Sequence, residues 1–179
     1  MHLTSNLSLT ATAFAGLAAA VLIYFLFLLA RNEAVFIPLP HETINKMLMM
    51  AEIENEDVLY DLGSGDGRIL IAAARRYGIR AVGIEKSKIL CWLSRRAIAR
   101  SGLEDKIQVV NADFFEHDLS GATVVAVYLS QKINDMLEPK LRKELKGGTR
   151  ILSADHTFNF PEKYKCKTGH FWTRLYVLS

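Results

Sequence analysis

Val58-Leu59-Tyr60-Asp61-Leu62-Gly63-Ser64-Gly65-Asp66-Gly67-Arg68 is the stretch that decides how this chain folds. An apolar run ends in an acid, Asp61. Three glycines follow at alternate positions, and a periodic apolar segment, Ile69 to Tyr77, begins directly after them. The pattern predicts a strand, a tight turn and the start of a helix. Alternate glycines let the backbone take positive φ and let a ligand come close. The helix beyond them offers free N–H groups. A dinucleotide fingerprint needs glycines at positions one, three and six. Counted from Gly63, the sixth position is Arg68, so the pattern is Asp-x-Gly-x-Gly-x-Gly with the acid inside it.

Two further acids stand at the ends of the next two expected strands. Ala81 to Ile84 is followed by Glu85, and Ile107 to Val110 leads into Asn111-Ala112-Asp113-Phe114-Phe115. Together these features resemble motif I and its companions in the seven-strand methyltransferases that use S-adenosylmethionine. The resemblance implies a cofactor loop made of Asp61, Gly63, Ser64, Gly65, Asp66 and Gly67. It also implies that Glu85 accepts from two ribose hydroxyls, that Asp113 accepts from the adenine amino group, and that Phe114 covers the ring. The implied cofactor is S-adenosyl-L-methionine.

The length of 179 residues suits one compact domain with a short appendage. The net charge of +3 is too mild for a surface that wraps nucleic acid, and no nucleic-acid partner is expected. Cys91 and Cys166 lack metal-ligand spacing and are read as reduced thiols; no metal site is expected. Residues 1 to 30 contain no Asp, Glu, Lys or Arg, and Ala11 to Ala30 is almost continuously apolar. A run of that length matches the hydrocarbon core of a bilayer, and no basic region precedes it as a signal peptide requires. The expected division is an N-terminal tail at 1–8, a transmembrane anchor at 9–30, a connector and entry helix at 31–52, and the methyltransferase domain at 53–179. The basic residues all follow the run, which predicts a single pass with the N-terminus outside and the catalytic domain cytoplasmic. The lipid bilayer is then an expected partner.

Further along, Ile44, Met47, Leu48 and Ala51 predict an amphipathic helix. Glu52, Glu54, Glu56 and Asp57 read as a solvated loop. Helices are expected over Arg68 to Tyr77, with Ile69, Leu70, Ala72 and Ala73 inward, and after Ser87, with Ile89, Leu90, Leu93, Ala97 and Ile98 inward. Ala122 to Leu129 predicts a strand buried on both faces. Ile133, Met136 and Leu137 give a helical stripe, with a second helical piece starting at Pro139. Thr149 to Ala154 is a fifth strand, and Lys163 to Lys167 with Phe171 to Leu178 form a hairpin. The fold class is α/β: a Rossmann-like seven-strand sheet with helices on both faces, preceded by one N-terminal transmembrane helix.

Four stretches narrow the resemblance to the seven-strand protein-lysine methyltransferases that include the archaeal broad-specificity enzyme and the mitochondrial enzymes acting on the ATP synthase c-subunit and the adenine nucleotide translocase. They are Phe36-Ile37-Pro38, Tyr60 to Arg68, Asp113-Phe114, and Leu137-Glu138-Pro139-Lys140-Leu141 through Arg150. The resemblance implies a membrane-anchored enzyme that methylates lysine ε-amines of proteins with an accessible lysine, membrane proteins among them. Tyr128, at the end of the fourth strand, is the candidate catalytic residue, and Asp155 and His156 follow the fifth. The Asn/Asp-Pro-Pro-Tyr/Phe motif of nucleobase amino methylation is missing: that place reads Ala126-Val127-Tyr128-Leu129. The competing readings are a small-molecule or lipid methyltransferase at the membrane surface and a non-catalytic cofactor-binding scaffold.

Overall fold

A computed structural model describes residues 14–24 and 37–179 of the chain. They fall into two compact units, with the division after Ile37. In the first unit, residues 14–24 are helical (α1), with apolar side chains such as Phe14, Leu17 and Val21 exposed. Eleven helical residues rise about 16 Å, against about 30 Å for the hydrocarbon core. Among the described residues no helix is long and apolar enough to cross a membrane. The expected transmembrane anchor over 9–30 is corrected accordingly, and with it the single-pass placement. The remainder of that run, the tail 1–8 and residues 31–36 lie outside the described residues.

The second unit holds α2 (His41–Met50), β1 (Val58–Leu62), α3 (Arg68–Tyr77), β2 (Arg80–Glu85), α4 (Lys88–Ser101), β3 (Ile107–Asn111), β4 (Val124–Val127), α5 (Gln131–Glu144), β5 (Arg150–Ala154), β6 (Glu162–Thr168) and β7 (Phe171–Val177). The strands form one seven-stranded sheet in the order β3-β2-β1-β4-β5-β7-β6. β1 to β5 are parallel, and β7 lies antiparallel between β5 and β6. Strand order reverses between β1 and β4. In open α/β sheets this is where ligands bind, outside the carboxyl ends of the strands.

Alternation along the strands sorts the core into two layers. Leu59, Ala81, Val124, Ala126 and Leu152 pack with α2, α3 and α4, while Leu62, Ile84, Val125, Val127 and Ile151 pack with α5. On α2 and its C-terminal cap, Ile44, Met47, Leu48 and Ala51 are all fully buried, as their spacing predicts. Each of the larger three contributes about 1.5–3 kcal/mol of burial. The outermost strand, β6, is mostly exposed and carries Lys163, Lys165 and Lys167. Charge on an open edge discourages pairing with another chain.

Four local expectations need correcting. On α3, Ala74 rather than Ala72 is buried alongside Ile69, Leu70 and Ala73. On α4, Cys91, Ser94 and Ile98 face inward, while Ile89 and Leu93 are 70% and 42% exposed. The cause is a close approach: a Cβ on Gly67, at the start of α3, would meet Ser94 Oγ at 2.3 Å. Only small side chains fit on the α4 face at that crossing, so hydrophobicity does not choose it. α5 runs unbroken through Pro139. Proline removes only the bond to the Asp135 carbonyl, and both residues sit on the solvent face, where water can replace it.

Asp57, expected in a solvated loop, is buried. Its carboxylate accepts from the Arg150 guanidinium, from Thr123 Oγ1 at 2.6 Å and from the Glu54 N–H at 2.7 Å. Arg150 also donates to the carbonyls of Ala51 and Glu52, at 2.9 and 3.0 Å. This cluster ties the end of α2 to β1 and β5 at the amino edge of the sheet, opposite the ligand edge. Its hydrogen bonds, the largest being that from Thr123, outweigh burial and hold the Asp57 carboxyl below the ordinary aspartate range.

Candidate active site

Strand register brings the sequence-selected residues to one edge. Leu62 is level with Ile84 of β2 and Val127 of β4, and Val127 is level with Ser153 of β5. Glu85 is level with Asn111 of β3. One step past this line stand Gly63, Glu85, Tyr128 and Ala154, with Asp61 one step behind it and Asp113 just beyond β3.

The glycine loop owes its shape to backbone that other residues resist. Gly63, Gly65 and Gly67 have φ of 78°, 55° and 81°. Gly63 N–H donates to the Ile84 carbonyl at 2.8 Å, and a Cβ there would stand 3.1 Å from Leu129 Cδ2. Gly65 N–H donates to Glu85 Oε2 at 3.0 Å, and Ser87 N–H to Glu85 Oε1 at 2.8 Å. The Glu85 carboxylate therefore closes the loop onto β2, and its remaining lone pairs stay available as acceptors. Asn111 Nδ2 donates to the carbonyls of Glu85 and Lys86, both at 2.9 Å, which fixes the end of β2.

Asp61 is buried, and its Oδ2 has no hydrogen-bond partner. Desolvation, then the neighbouring charges of Glu85 and Asp66, push its carboxyl up to about 8. A buried acceptor left open in this way marks the place of a cationic or hydrogen-bonding ligand group. Ser64 is also buried, but its hydroxyl faces the fold: a Cβ on Gly83 would meet Ser64 Oγ at 2.6 Å. Asp66 pairs with Arg68 at 2.6 Å, and Arg68 donates to the Leu39 carbonyl at 2.9 Å. Those bonds pin the segment before α2 to the glycine loop.

Asp113 accepts from Phe115 N–H at 2.9 Å and meets Lys86 Nζ at 3.3 Å. Lys86 is 77% exposed, so this pair opens readily. Phe114 is half-buried, with its ring centroid 4.8 Å from that of Phe115. Tyr128 is half-buried and meets Phe171 edge-on at 6.1 Å. Burial, then the charge of Asp155, raises the Tyr128 hydroxyl above its ordinary pKa, so it stays protonated at neutral pH. Sequence reasoning missed Leu129 beneath Gly63, Lys86 against Asp113 and Phe171 against Tyr128. Only the parallel register and the returning β7 bring these pairs together.

The residues present fit S-adenosylmethionine, which carries positive charge on sulfur and on its amino group: three carboxylates converge, one with an open buried oxygen, beside a glycine turn that a side chain would fill. Comparison with known proteins agrees. A family model described as "ANTKMT methyltransferase domain" matches residues 61–166. A protein-lysine N-methyltransferase of Saccharolobus islandicus is 37% identical over 79% of this chain and 91% of its own length. The Mus musculus lysine N-methyltransferase of the ATP synthase c-subunit is 32% identical over 70% of this chain, which spans 49% of that protein. A solved structure of an RNA methyltransferase from Salinibacter ruber, in complex with S-adenosyl-L-homocysteine, superposes with a TM-score of 0.78 at 36% identity. That match covers 79% of this chain and 94% of the other. The chain belongs to the ANTKMT methyltransferase-domain family and is an S-adenosylmethionine-dependent methyltransferase.

Proposed function

We propose that the chain methylates lysine ε-amines of proteins, with the cofactor held by Asp61, Gly63, Ser64, Gly65, Asp66, Gly67, Glu85, Asp113 and Phe114, and with Tyr128 beside the reacting groups. The observation that carries the acceptor is the 37% identity to the archaeal protein-lysine N-methyltransferase across 91% of its length. When bound, S-adenosylmethionine supplies an activated methyl group on a positive sulfur. The chain's own residues then have three tasks. Asp61 faces the cofactor's cationic end, Glu85 accepts from the ribose hydroxyls, and Asp113 releases Lys86 to accept from the adenine amino group. Gly63 and Gly65 keep the approach open, Ser64 acts through its backbone, and Asp66 steadies the loop through Arg68.

An ammonium cannot attack, so the acceptor must arrive neutral or lose a proton at the site. Orientation of amine and methyl supplies most of the acceleration. Tyr128, held protonated, acts as a neutral hydroxyl that orients the amine and not as a phenolate base.

The test is to incubate the purified chain with methyl-labelled S-adenosylmethionine and three acceptors: a lysine-rich protein, total RNA and a solvent-extractable lipid fraction. The proposal expects label in the protein. RNA is included because the similar Salinibacter protein is described as an RNA methyltransferase. Label confined to RNA or to the extract would replace the acceptor while leaving the enzyme class intact.

A further inference from the structure

The carboxyl edge holds groups that the cofactor pocket leaves unused. Asp155 follows the last residue of β5. Phe171 opens β7, which returns beside β5 with Thr173 opposite Ala154. Tyr128 follows β4, the other neighbour of β5. Asp155, Phe171 and Tyr128 therefore meet at the edge that carries Gly63 and Glu85, on its acceptor side.

Asp155 is fixed in an unusual way. It is not glycine, yet its φ is 61°, a conformation that costs an ordinary residue about 1 kcal/mol or more. Its N–H donates to the Trp172 carbonyl at 2.6 Å, and Trp172 N–H donates to its Oδ1 at 2.9 Å. Arg174 donates to its carbonyl at 2.9 Å. These bonds use one carboxylate oxygen. Among the described residues, no hydrogen bond reaches Oδ2 and no basic side chain pairs with the carboxylate. Beside it the rings of Tyr128 and Phe171 meet at 78°. A half-exposed carboxylate with a free oxygen, next to two aromatic rings, suits a cation on an apolar stem.

We propose that Asp155, Tyr128 and Phe171 form the acceptor subsite, in which the free carboxylate oxygen takes the target lysine's amine and the two rings flank its methylene stem. This rests on the lysine reading above. In the transfer, the amine lone pair forms the new C–N bond as the C–S bond breaks. The C–S electron pair remains on a now neutral sulfur, and positive charge appears on nitrogen until a proton leaves to solvent. A carboxylate at the nitrogen favours that arrival of charge. It also favours the ammonium form beforehand, so it raises the pH at which the bound lysine becomes reactive.

The test is Asp155→Asn in the full chain. Asparagine tolerates the left-handed backbone and keeps the acceptor for Trp172 N–H, so only the charge is lost. The cationic surroundings are unchanged: Arg174 of β7, Lys165 and Lys167 of β6 around the Trp172 ring, and His156 next in the chain. S-adenosylmethionine affinity should be unchanged by calorimetry. KM for a lysine peptide should rise roughly 10- to 100-fold, and the rising limb of kcat against pH should move down by about one unit. As a second variant, Phe171→Leu should raise KM several-fold while donor binding is retained. Wild-type turnover on lysine with KM and pH profile unmoved in Asp155→Asn, or with KM unmoved in Phe171→Leu, overturns the subsite alone. A wild-type chain that labels no lysine overturns the lysine reading and the subsite with it.

Discussion

Asp61→Asn should stabilise the ligand-free protein while weakening its grip on the cofactor. The Asp61 carboxyl titrates at about 8 in the fold against an ordinary value of 3.8, because it is desolvated and faces Glu85 and Asp66. A raised aspartate pKa works against folding once the unfolded chain ionises. The loss begins above pH 4 and is complete only as pH passes the folded value near 8. At about 1.4 kcal/mol per unit, the cost is roughly 4 kcal/mol at pH 7 and roughly 2 at pH 5. Asparagine escapes it but brings amide donors that need partners, which leaves a net gain of about 1–2 kcal/mol at pH 7. For a domain of this size the melting temperature should rise by about 2–8 °C. Because the amide penalty does not change with pH, the gain should be gone by about pH 5 and turn into a net loss of about 2–3 kcal/mol near pH 4. A cation bound against Asp61 favours its ionised form, so wild-type affinity for S-adenosylmethionine should increase from pH 6 to 8, and the variant should lose that dependence. Differential scanning fluorimetry across pH, with and without cofactor, reads both effects. A variant that melts lower at pH 7, or a gain independent of pH, would refute the reasoning.

Glu85→Ala should weaken S-adenosylmethionine binding roughly 10- to 150-fold, the worth of a charge-assisted bond, measured by calorimetry on protein shown to be folded. Gly63→Val should abolish donor binding with the fold largely kept, since a β-branched residue resists φ of 78° and its Cβ would press on Leu129; normal binding would mean that the glycines only punctuate a turn. Asp57→Ala should destabilise by about 3 kcal/mol by leaving the Arg150 guanidinium without its buried partner, while donor affinity in the folded fraction stays unchanged; chemical denaturation and calorimetry separate the two.

Much of the fold is written in local chemistry. β1, α3 and the turn between them follow from an apolar run, three glycines and a capping glycine at 78, and the hairpin of β6 and β7 follows from alternation around Gly169. The three acids at the ends of β1, β2 and β3 could be found because parallel strands set each acid at the same edge. What the sequence hid depends on contacts between elements. The inward face of α4 is chosen by the crossing of Gly67 and Ser94, so it carries Cys91 and Ser94 while Ile89 and Trp92 stay exposed. Asp57 looked like one more acid in a charged loop, because its partner Arg150 lies on β5. Asp155 could be placed from sequence only as following β5 at the ligand edge: its neighbours Trp172 and Phe171 come to it through the return of β7 beside β5. The apolar run near the N-terminus shows the opposite error. Composition alone suggested a span, whereas the described helix 14–24 is too short to make one.

The most direct measurement is to find where the methyl group goes. The purified chain should be incubated with methyl-labelled S-adenosylmethionine and a protein bearing exposed lysines, the protein recovered, hydrolysed to amino acids and resolved by chromatography. The account predicts label in ε-N-methyllysine, lost in parallel with donor binding in Glu85→Ala. Label absent from methyllysine in a chain shown by calorimetry to bind the donor would contradict it.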